Sequence, residues 1–237
     1  MVRVLADAGA ELERTTHEGL SPLAAACSQQ LPRTAKFLLE RGVKVGGVKG
    51  KEGQHFVPLV EAAARRSETL VFLLLKWGAD PSQAGWERES CHQSKRYVLI
   101  SPLQKAITVP YTFFFKGGDA AENIYRIVKL LIERGARCPV STPREALNEG
   151  DSPPLSDKSH LLAACYMRHI GLVQLLCGAG GADPNVCGRA TDHCQKPVSP
   201  LASVLCDRRW HKDNKIENDI KTQWELAGAL VEVSRGG

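Results

Sequence analysis

The 237-residue sequence predicts an all-α solenoid of stacked helix–turn–helix units. Two short patterns recur along the chain, one opening with proline and alanine and the other closing with glycine. Copies of the first pattern start at residues 21, 57 and 159, and copies of the second start at 35, 71 and 173, which is 14 residues later each time. Two further copies of the first pattern start at 101 and 199, and the second pattern follows them after 27 and 28 residues. One insertion in each of these two units would produce the longer offset. A repeated offset indicates one structural unit stacked on copies of itself.

The first pattern predicts the first helix of each unit. A serine followed by proline supplies an N-cap and a proline for the first helical turn. The alanine-rich run that follows makes a thin helix that neighbouring helices can approach closely. The copies begin at Ser21, Val57, Ser101, Ser159 and Ser199.

The second pattern predicts the second helix of each unit. Apolar residues at i, i+3 and i+4 form one stripe on a helix, and the glycine at i+7 supplies a left-handed C-cap. The sequence Ala-Asp-Pro then redirects the chain at 79–81 and 182–184. A weaker copy, starting at residue 227, has Ser234 in place of glycine. The other copies end at Gly9, Gly42, Gly78, Gly135 and Gly180.

These patterns resemble the ankyrin repeat family, whose signature includes Thr-Pro-Leu-His-x-Ala. Serine usually replaces the threonine here, and the histidine is replaced by Ala24, Val60, Gln104, Leu162 and Ala202. The resemblance covers nearly the whole chain and implies a single domain over 1–237, with an N-terminal half-repeat (1–18) and about five further repeats (19–54, 55–98, 99–156, 157–196 and 197–237). The alternative is an unrelated solenoid of paired helices.

The loops between units are longer than the family pattern. The first loop, from Gly9 to Ser21, spans 12 residues as in an ordinary ankyrin finger, whereas the next four span 15, 23, 24 and 19. We number these four fingers from the one that follows Gly42. Two insertions, within 109–123 and 207–221, fall between paired helices, where loop-closure entropy makes added length inexpensive.

The N-terminal end also departs from the pattern. Because Met1 leads almost directly into a second helix, the sequence predicts that Val2, Val4 and Leu5 are poorly covered. We expect that the chain is a fragment of a longer protein, or that a partner or a second copy covers this end.

Composition predicts an intracellular protein, cytoplasmic or nuclear, that has no membrane segment. The net charge of +5 is modest, the hydrophobic fraction of 43% is that of a globular chain, and the longest apolar run, 70–75, is too short to span a bilayer. No signal peptide and no N-glycosylation sequon is present. The eight cysteines include no Cys-x-x-Cys pair, and we interpret them as reduced thiols.

The sequence gives little support to catalysis, and we expect no enzyme activity, cofactor, metal or small-molecule substrate. It contains no Gly-x-Ser-x-Gly, His-Glu-x-x-His or dinucleotide-binding pattern. The glycine- and lysine-rich first finger fails the phosphate-loop test, because Lys51 is followed by Glu52. In the fourth finger, Cys187, His193 and Cys194 have a poor spacing for zinc.

The ankyrin resemblance implies non-enzymatic recognition of a protein partner on a concave face lined by the first helices and extended by the fingers. The second finger adds aromatic and arginine side chains of the kind that dominate interfaces. The candidate contacts are Glu61, Arg65, Lys105, Thr108, Tyr166 and Met167 on first helices, with Trp86, Arg88 and Tyr97 on the second finger.

Several alternatives stay open at this stage. The second finger could be a partly disordered insertion with Trp86 folded back on the helices, and the basic–aromatic stretch 207–219 could dock an acidic partner or form a charged surface helix. We expect Phe113–Phe115 to pack against the stack, and the Thr-Pro and Ser-Pro pairs at Thr142 and Ser152 suggest phosphorylation.

Two other functions are weaker alternatives. The chain could be the regulatory or substrate-recruiting segment of a larger enzyme, such as a ubiquitin-ligase or kinase assembly. Nucleic-acid binding is disfavoured by the modest charge, and it would require a strongly salt-dependent affinity. The sequence does not determine the oligomeric state.

Overall fold

The computed structural model describes residues 1–17, 19–49, 55–88, 97–108, 117–138, 160–185, 199–206 and 224–232. These residues are mostly helical, as predicted, and residues 224–232 form a helix near the end of the chain. The remaining helices are α1 (Val2–Asp7), α2 (Pro22–Ser28), α3 (Pro32–Glu40), α4 (Pro58–Ala64), α5 (Glu68–Lys76), α6 (Pro102–Ile107), α7 (Gly117–Glu133), α8 (His160–Tyr166), α9 (Ile170–Cys177) and α10 (Pro200–Cys206). Two strands, β1 (Gly85–Arg88) and β2 (Tyr97–Ile100), form an antiparallel hairpin.

Three helix pairs share one turn geometry. In α2–α3, α4–α5 and α8–α9 the ninth residue from the start of the first helix has a positive φ, at Gln30 (54°), Arg66 (53°) and Arg168 (56°). A single left-handed residue reverses the chain, and the next residue begins the second helix as its N-cap. These are the three copies with the constant 14-residue offset, so the offset reports a conserved turn length within the chain.

Three of the four predicted serine caps are confirmed, and the fourth, Ser159, lies outside the described residues. Ser21 Oγ accepts a hydrogen bond from the Ala24 N–H at 3.2 Å, and each capping serine is followed by proline. The equivalent bonds run from Gln104 N to Ser101 Oγ (3.1 Å) and from Ala202 N to Ser199 Oγ (3.2 Å). At α4 the N-cap is Val57, which makes no side-chain cap, and Pro58 alone marks the start.

Four of the five glycine caps are left-handed as predicted, at Gly9, Gly42, Gly78 and Gly135. The prediction for Gly180 is wrong, because the residue with positive φ is Gly181 (70°). After α5 the Ala79 N–H donates to Leu74 O, five residues earlier, whereas after α9 the Ala182 N–H donates to Leu176 O, six residues earlier. The connection after α9 therefore holds one extra residue, which moves the left-handed position along the chain.

The chain divides into two compact units. The described part of the first unit is Met1–Ala106 together with Glu133–Gly135. Its core is formed where α2, α3, α4 and α5 pack on one another. Full burial of each large aliphatic side chain stabilises the fold by about 1.5–3 kcal/mol. The fully buried members include Leu23, Leu38, Leu59, Leu70 and Leu74.

The second unit contains most of α7 and the helices α8, α9, α10 and 224–232. Helix α7 has 17 residues, against nine each for α3 and α5, so part of the insertion predicted within 109–123 is helical. The part of α7 that follows this extension carries an apolar stripe at helical spacing. The stripe comprises the buried residues Ile124, Ile127, Val128 and Leu131.

Candidate protein-interaction surface

Two predicted contact residues occupy the same position in consecutive first helices of the first unit. Glu61 is the fourth residue of α4 and Lys105 is the fourth residue of α6, and both side chains are half-buried. The carboxylate of Glu61 contributes, after burial, to raising the pKa of the Cys27 thiol to about 12. Arg65 follows as the C-cap of α4 and is exposed. The first helices thus present opposite charges at one repeated position.

In its described residues the second finger contains two paired antiparallel strands, where the sequence predicted an extended loop. Arg88 and Tyr97 are partners at the end of the ladder next to the connecting residues, and Trp86 lies opposite Leu99. Trp86 is half-buried, and β1 and β2 are regular strands. Within the described ranges the sheet has two strands, and the fold is all-α.

The hairpin is attached to the preceding finger by its backbone. The Trp86 N–H donates to His55 O at 2.9 Å, and His55 Nε2 lies 2.9 Å from Gly46 O. At Gly85 the two segments approach so closely that a Cβ would lie 3.2 Å from the backbone nitrogen of Val57. Glycine at this position therefore allows the two fingers to pair.

The other predicted contact residues lie in the second unit. Thr108 follows the end of α6 and is half-buried. Tyr166 is the last residue of α8, and Met167 begins the turn to α9, with its N–H donating to Ala163 O at 3.1 Å. The structure therefore divides the nine predicted residues, with six in the first unit and three in the second.

A histidine-centred cluster in the second unit was not predicted. His169 is the N-cap of α9, and its Nδ1 accepts a hydrogen bond from the Leu172 N–H at 3.0 Å. The ring stacks on Tyr125 with centroids 5.1 Å apart, and Nε2 lies 3.6 Å from Glu122 Oε2. The repeat register could have identified His169 as an N-cap, because this residue is equivalent to the N-caps Leu31 and Ser67.

The strongly shifted pKa values belong to buried groups. Burial raises the pKa of Cys138 and Cys165 to about 12 and that of Cys177 to about 11, so these thiols stay protonated. Burial lowers the pKa of His160 to about 4, so this imidazole stays neutral near pH 7. In the described ranges no group of three or more His, Cys, Asp or Glu side chains could hold a metal ion.

No helix within the described ranges is long and apolar enough to cross a membrane. Several sequence-based predictions fall outside those ranges and are not tested by the structure. They concern Phe113–Phe115, Thr142, Ser152, Cys187, His193, Cys194 and the stretch 207–219.

Comparison with known proteins identifies the fold. No protein-family model and no curated protein matches the sequence. The human ASB11 ankyrin repeat domain is similar in structure, with a TM-score of 0.57 and 20% identity over 98% of this chain and 77% of that chain. The ankyrin repeat domain of Bcl-3, described as a unique member of the IkappaB protein family, gives a TM-score of 0.50 and 21% identity over 98% of this chain and 78% of that one. Together with the helix pairs, serine caps and glycine caps, these similarities show that the chain has the ankyrin-repeat fold.

Proposed function

We propose that the chain is a non-enzymatic interaction module that binds a protein partner on the first-helix and finger surface of its first unit. Repeat solenoids in general offer extended binding surfaces built from the same position in successive repeats. In this unit that position holds Glu61 and Lys105, and the second finger adds Trp86.

The observation that carries the proposal is the pairing of the two fingers. The hydrogen bond from the Trp86 N–H to His55 O fixes the backbone that carries the tryptophan. A contact residue on an ordered backbone loses less conformational entropy on binding than one on a free loop. Tryptophan is also the residue type most enriched among energetically dominant contacts. The paired fingers therefore supply a pre-organised aromatic anchor beside the charged first-helix positions.

The pKa shifts of the buried thiols and of His160 indicate that these groups have a structural role. Catalytic groups usually have pKa values shifted toward the working pH. Here burial shifts the pKa of Cys27 and the other buried thiols upward, away from the reactive thiolate, and keeps His160 neutral. These groups act as core residues.

The finer assignments stay part of the proposal. They comprise Arg65, Arg88 and Tyr97 as further contacts in the first unit, and Thr108, Tyr166 and Met167 as contacts in the second. The alternative of a regulatory or substrate-recruiting segment of a larger enzyme stays a prediction that the same experiment addresses.

The test is quantitative affinity purification from an extract of the cells that produce the protein. The wild type is compared with the variant Glu61→Arg/Trp86→Ala/Lys105→Glu and with the matched control Arg33→Glu, an exposed charge reversal on α3. We expect specific proteins to fall by at least about tenfold with the triple variant and to be unchanged with the control.

Circular dichroism and thermal unfolding establish that the triple variant keeps its fold. Equal recovery of every protein by the wild type and a folded triple variant would contradict the proposal. Recovery of a catalytic subunit among the proteins lost would favour the enzyme-recruiting alternative.

A further inference from the structure

The second helices of three successive repeats differ in a systematic way. Residues 36–42 read Lys-Phe-Leu-Leu-Glu-Arg-Gly and residues 129–135 read Lys-Leu-Leu-Ile-Glu-Arg-Gly. The repeat between them, 72–78, reads Phe-Leu-Leu-Leu-Lys-Trp-Gly. The buried leucine positions are kept, whereas lysine, glutamate and arginine are replaced by Phe72, Lys76 and Trp77.

Packing in the core does not explain these replacements. Phe72 is 49% exposed and Trp77 is 43% exposed, and the side chain of Lys76 is exposed beside them. The lysine and glutamate of the preceding repeat, Lys36 and Glu40, are exposed at the equivalent positions. Two large aromatic side chains therefore stand where the neighbouring repeats keep polar ones, which is the pattern of an interaction site.

One cation of the following repeat lies at the Trp77 end of α5. Arg134 donates from Nη1 to Leu75 O at 3.1 Å, which places its guanidinium at the C-terminal end of α5. Arg41 is the C-cap of the neighbouring helix α3, the position that Trp77 holds on α5. Arg134 and Lys76 thus place two cations at the Trp77 end of the helix.

Several acidic side chains of this region already have partners. Glu40 forms an ion pair with Lys36 at 3.7 Å, and Asp7 pairs with Arg41. Glu68 lies one turn before Phe72, and the Asp80 carboxylate accepts a hydrogen bond from the Ser82 N–H at 2.8 Å. The exposed Glu133 holds on α7 the position that Lys76 holds on α5. The Glu-to-Lys reversal at position 76 removes an acid between the two aromatic residues and adds a base.

We propose that the exposed face of α5, formed by Phe72, Lys76 and Trp77, docks a protein segment that carries an apolar side chain next to carboxylates. The apolar side chain covers Phe72 and Trp77, and the carboxylates pair with Lys76 and Arg134. Positive charge at the Trp77 end favours an acidic segment over a basic one. A second copy of the chain would bring like charges together if it docked with the same end. This surface is separate from the first-helix and finger surface.

The probe is a fluorescein-labelled amphipathic helical peptide. Phenylalanine and leucine form one face of its helix, and glutamates flank that face. Two matched peptides replace the glutamates by lysine or the apolar residues by serine. In fluorescence anisotropy we expect the acidic–apolar peptide to bind the full chain at least about tenfold more tightly than either matched peptide. Added salt should weaken this binding because it screens the charge pairs.

The decisive variant is Phe72→Lys/Lys76→Glu/Trp77→Arg, which gives α5 the residues that its neighbouring repeats already use and so keeps the fold. We expect it to lose at least about tenfold in affinity for the acidic–apolar peptide. The control Trp224→Ala removes an exposed tryptophan from the second unit and should leave binding unchanged. The Glu61→Arg/Trp86→Ala/Lys105→Glu variant should also bind normally, which separates this proposal from the proposed function.

Three results would overturn the inference. They are equal binding of the lysine peptide, unchanged binding by the α5 variant, and no binding of the acidic–apolar peptide. Sedimentation of the chain alone tests the other occupant, since a dimer that the α5 variant abolishes would assign the surface to a second copy and not to an acidic segment.

Discussion

The helix pairs α2–α3 and α4–α5 and the single helix α1 lie in the same unit but are held in different ways. The pairs bury a continuous set of leucines, with Leu23, Leu38, Leu59 and Leu74 almost inaccessible to solvent. Helix α1 has no buried residue, and Leu5 is 53% exposed. Each second helix of a stack needs neighbours to bury its stripe, and α1 shows what remains when burial contributes little.

Polar and cation–π contacts connect α1 and the loop that follows it to α3 and its C-terminal end. Asp7 pairs with Arg41, and the guanidiniums of Arg3 and Arg41 lie 5.5 and 4.8 Å from the centroid of the Phe37 ring. Glu13 pairs with Lys44 at 3.5 Å and also accepts from its backbone N–H. Exposed pairs of this kind each contribute little, so the comparison predicts a steep gradient of stability from α4 to α1.

The largest expected effect separates these two regions directly. Leu59→Ala removes a side chain that is 0% exposed, and we expect the free energy of unfolding to fall by about 2–5 kcal/mol. Leu5→Ala in α1 should change it by less than about 0.5 kcal/mol. Urea unfolding followed by circular dichroism measures both. A similar loss in the two variants would contradict the proposed difference in burial.

One buried titratable side chain in the second unit makes the stability of the fold depend on pH. His160 is buried, its Nε2 has no hydrogen-bond partner among the described residues, and its pKa is lowered to about 4. The unfolded chain has the ordinary histidine pKa of 6.5 and binds the proton first as the pH falls. The stability that the neutral imidazole provides is therefore complete above pH 6.5 and is lost between pH 6.5 and about 4, by about 3 kcal/mol in total.

The variant His160→Pro tests this assignment, since proline holds the equivalent position in α2, α4, α6 and α10. We expect the free energy of unfolding, measured in urea, to fall between pH 7 and about pH 4.5 by more in the wild type than in the variant. His160→Gln serves as a second non-titrating variant if proline impairs folding. The same loss of stability in the wild type and in a folded variant would assign the pH dependence to other groups.

How much of the fold the sequence predicts depends on the range of the contacts involved. The caps at Ser21 and Ser101 and the left-handed glycines at Gly42 and Gly78 rest on residues a few positions apart, and they were predicted correctly. The shift from Gly180 to Gly181 was missed because four small residues, 178–181, leave the end of α9 undefined by residue type alone.

The candidate surfaces were harder to predict because they depend on distant segments. The hairpin forms through pairing with β2 and through the bond from Trp86 to His55, and no short pattern in the sequence encodes either. The exposed aromatic residues of α5 could have been found by aligning the second helices with one another. The apolar stripe that defines these helices lies on the buried side, so it carries no information about the outer positions Phe72 and Trp77.

A substitution in the turn between paired helices should have a smaller effect and should raise the stability of the fold. Gln30 is exposed and adopts φ 54°, a conformation that costs an L-residue about 1 kcal/mol and costs glycine little. Gln30→Gly should therefore raise the free energy of unfolding by up to about 1 kcal/mol, offset in part by the entropy of glycine in the unfolded chain. The matched variant Gln29→Gly, at φ −93°, should lower stability slightly. Urea unfolding of the two variants in parallel decides whether the left-handed turn carries this strain, and a loss with both would show that it does not.

The smallest effect concerns the ion pair that joins α1 to α3. Asp7→Asn removes the charge that Arg41 contacts, and both side chains are more than one-third exposed. Solvent screening limits such a pair, so the free energy of global unfolding should change by less than about 0.5 kcal/mol.

The local effect should be clearer, because α1 has little burial to compensate for the lost contact. Amide hydrogen exchange in α1 should accelerate in the variant at low salt, while exchange in α4 stays the same. High salt screens the pair in the wild type and should bring the two proteins together. An equal acceleration in α4 would mean that α1 and the buried helix pairs unfold as one cooperative element, and the gradient drawn from their burial would then be wrong.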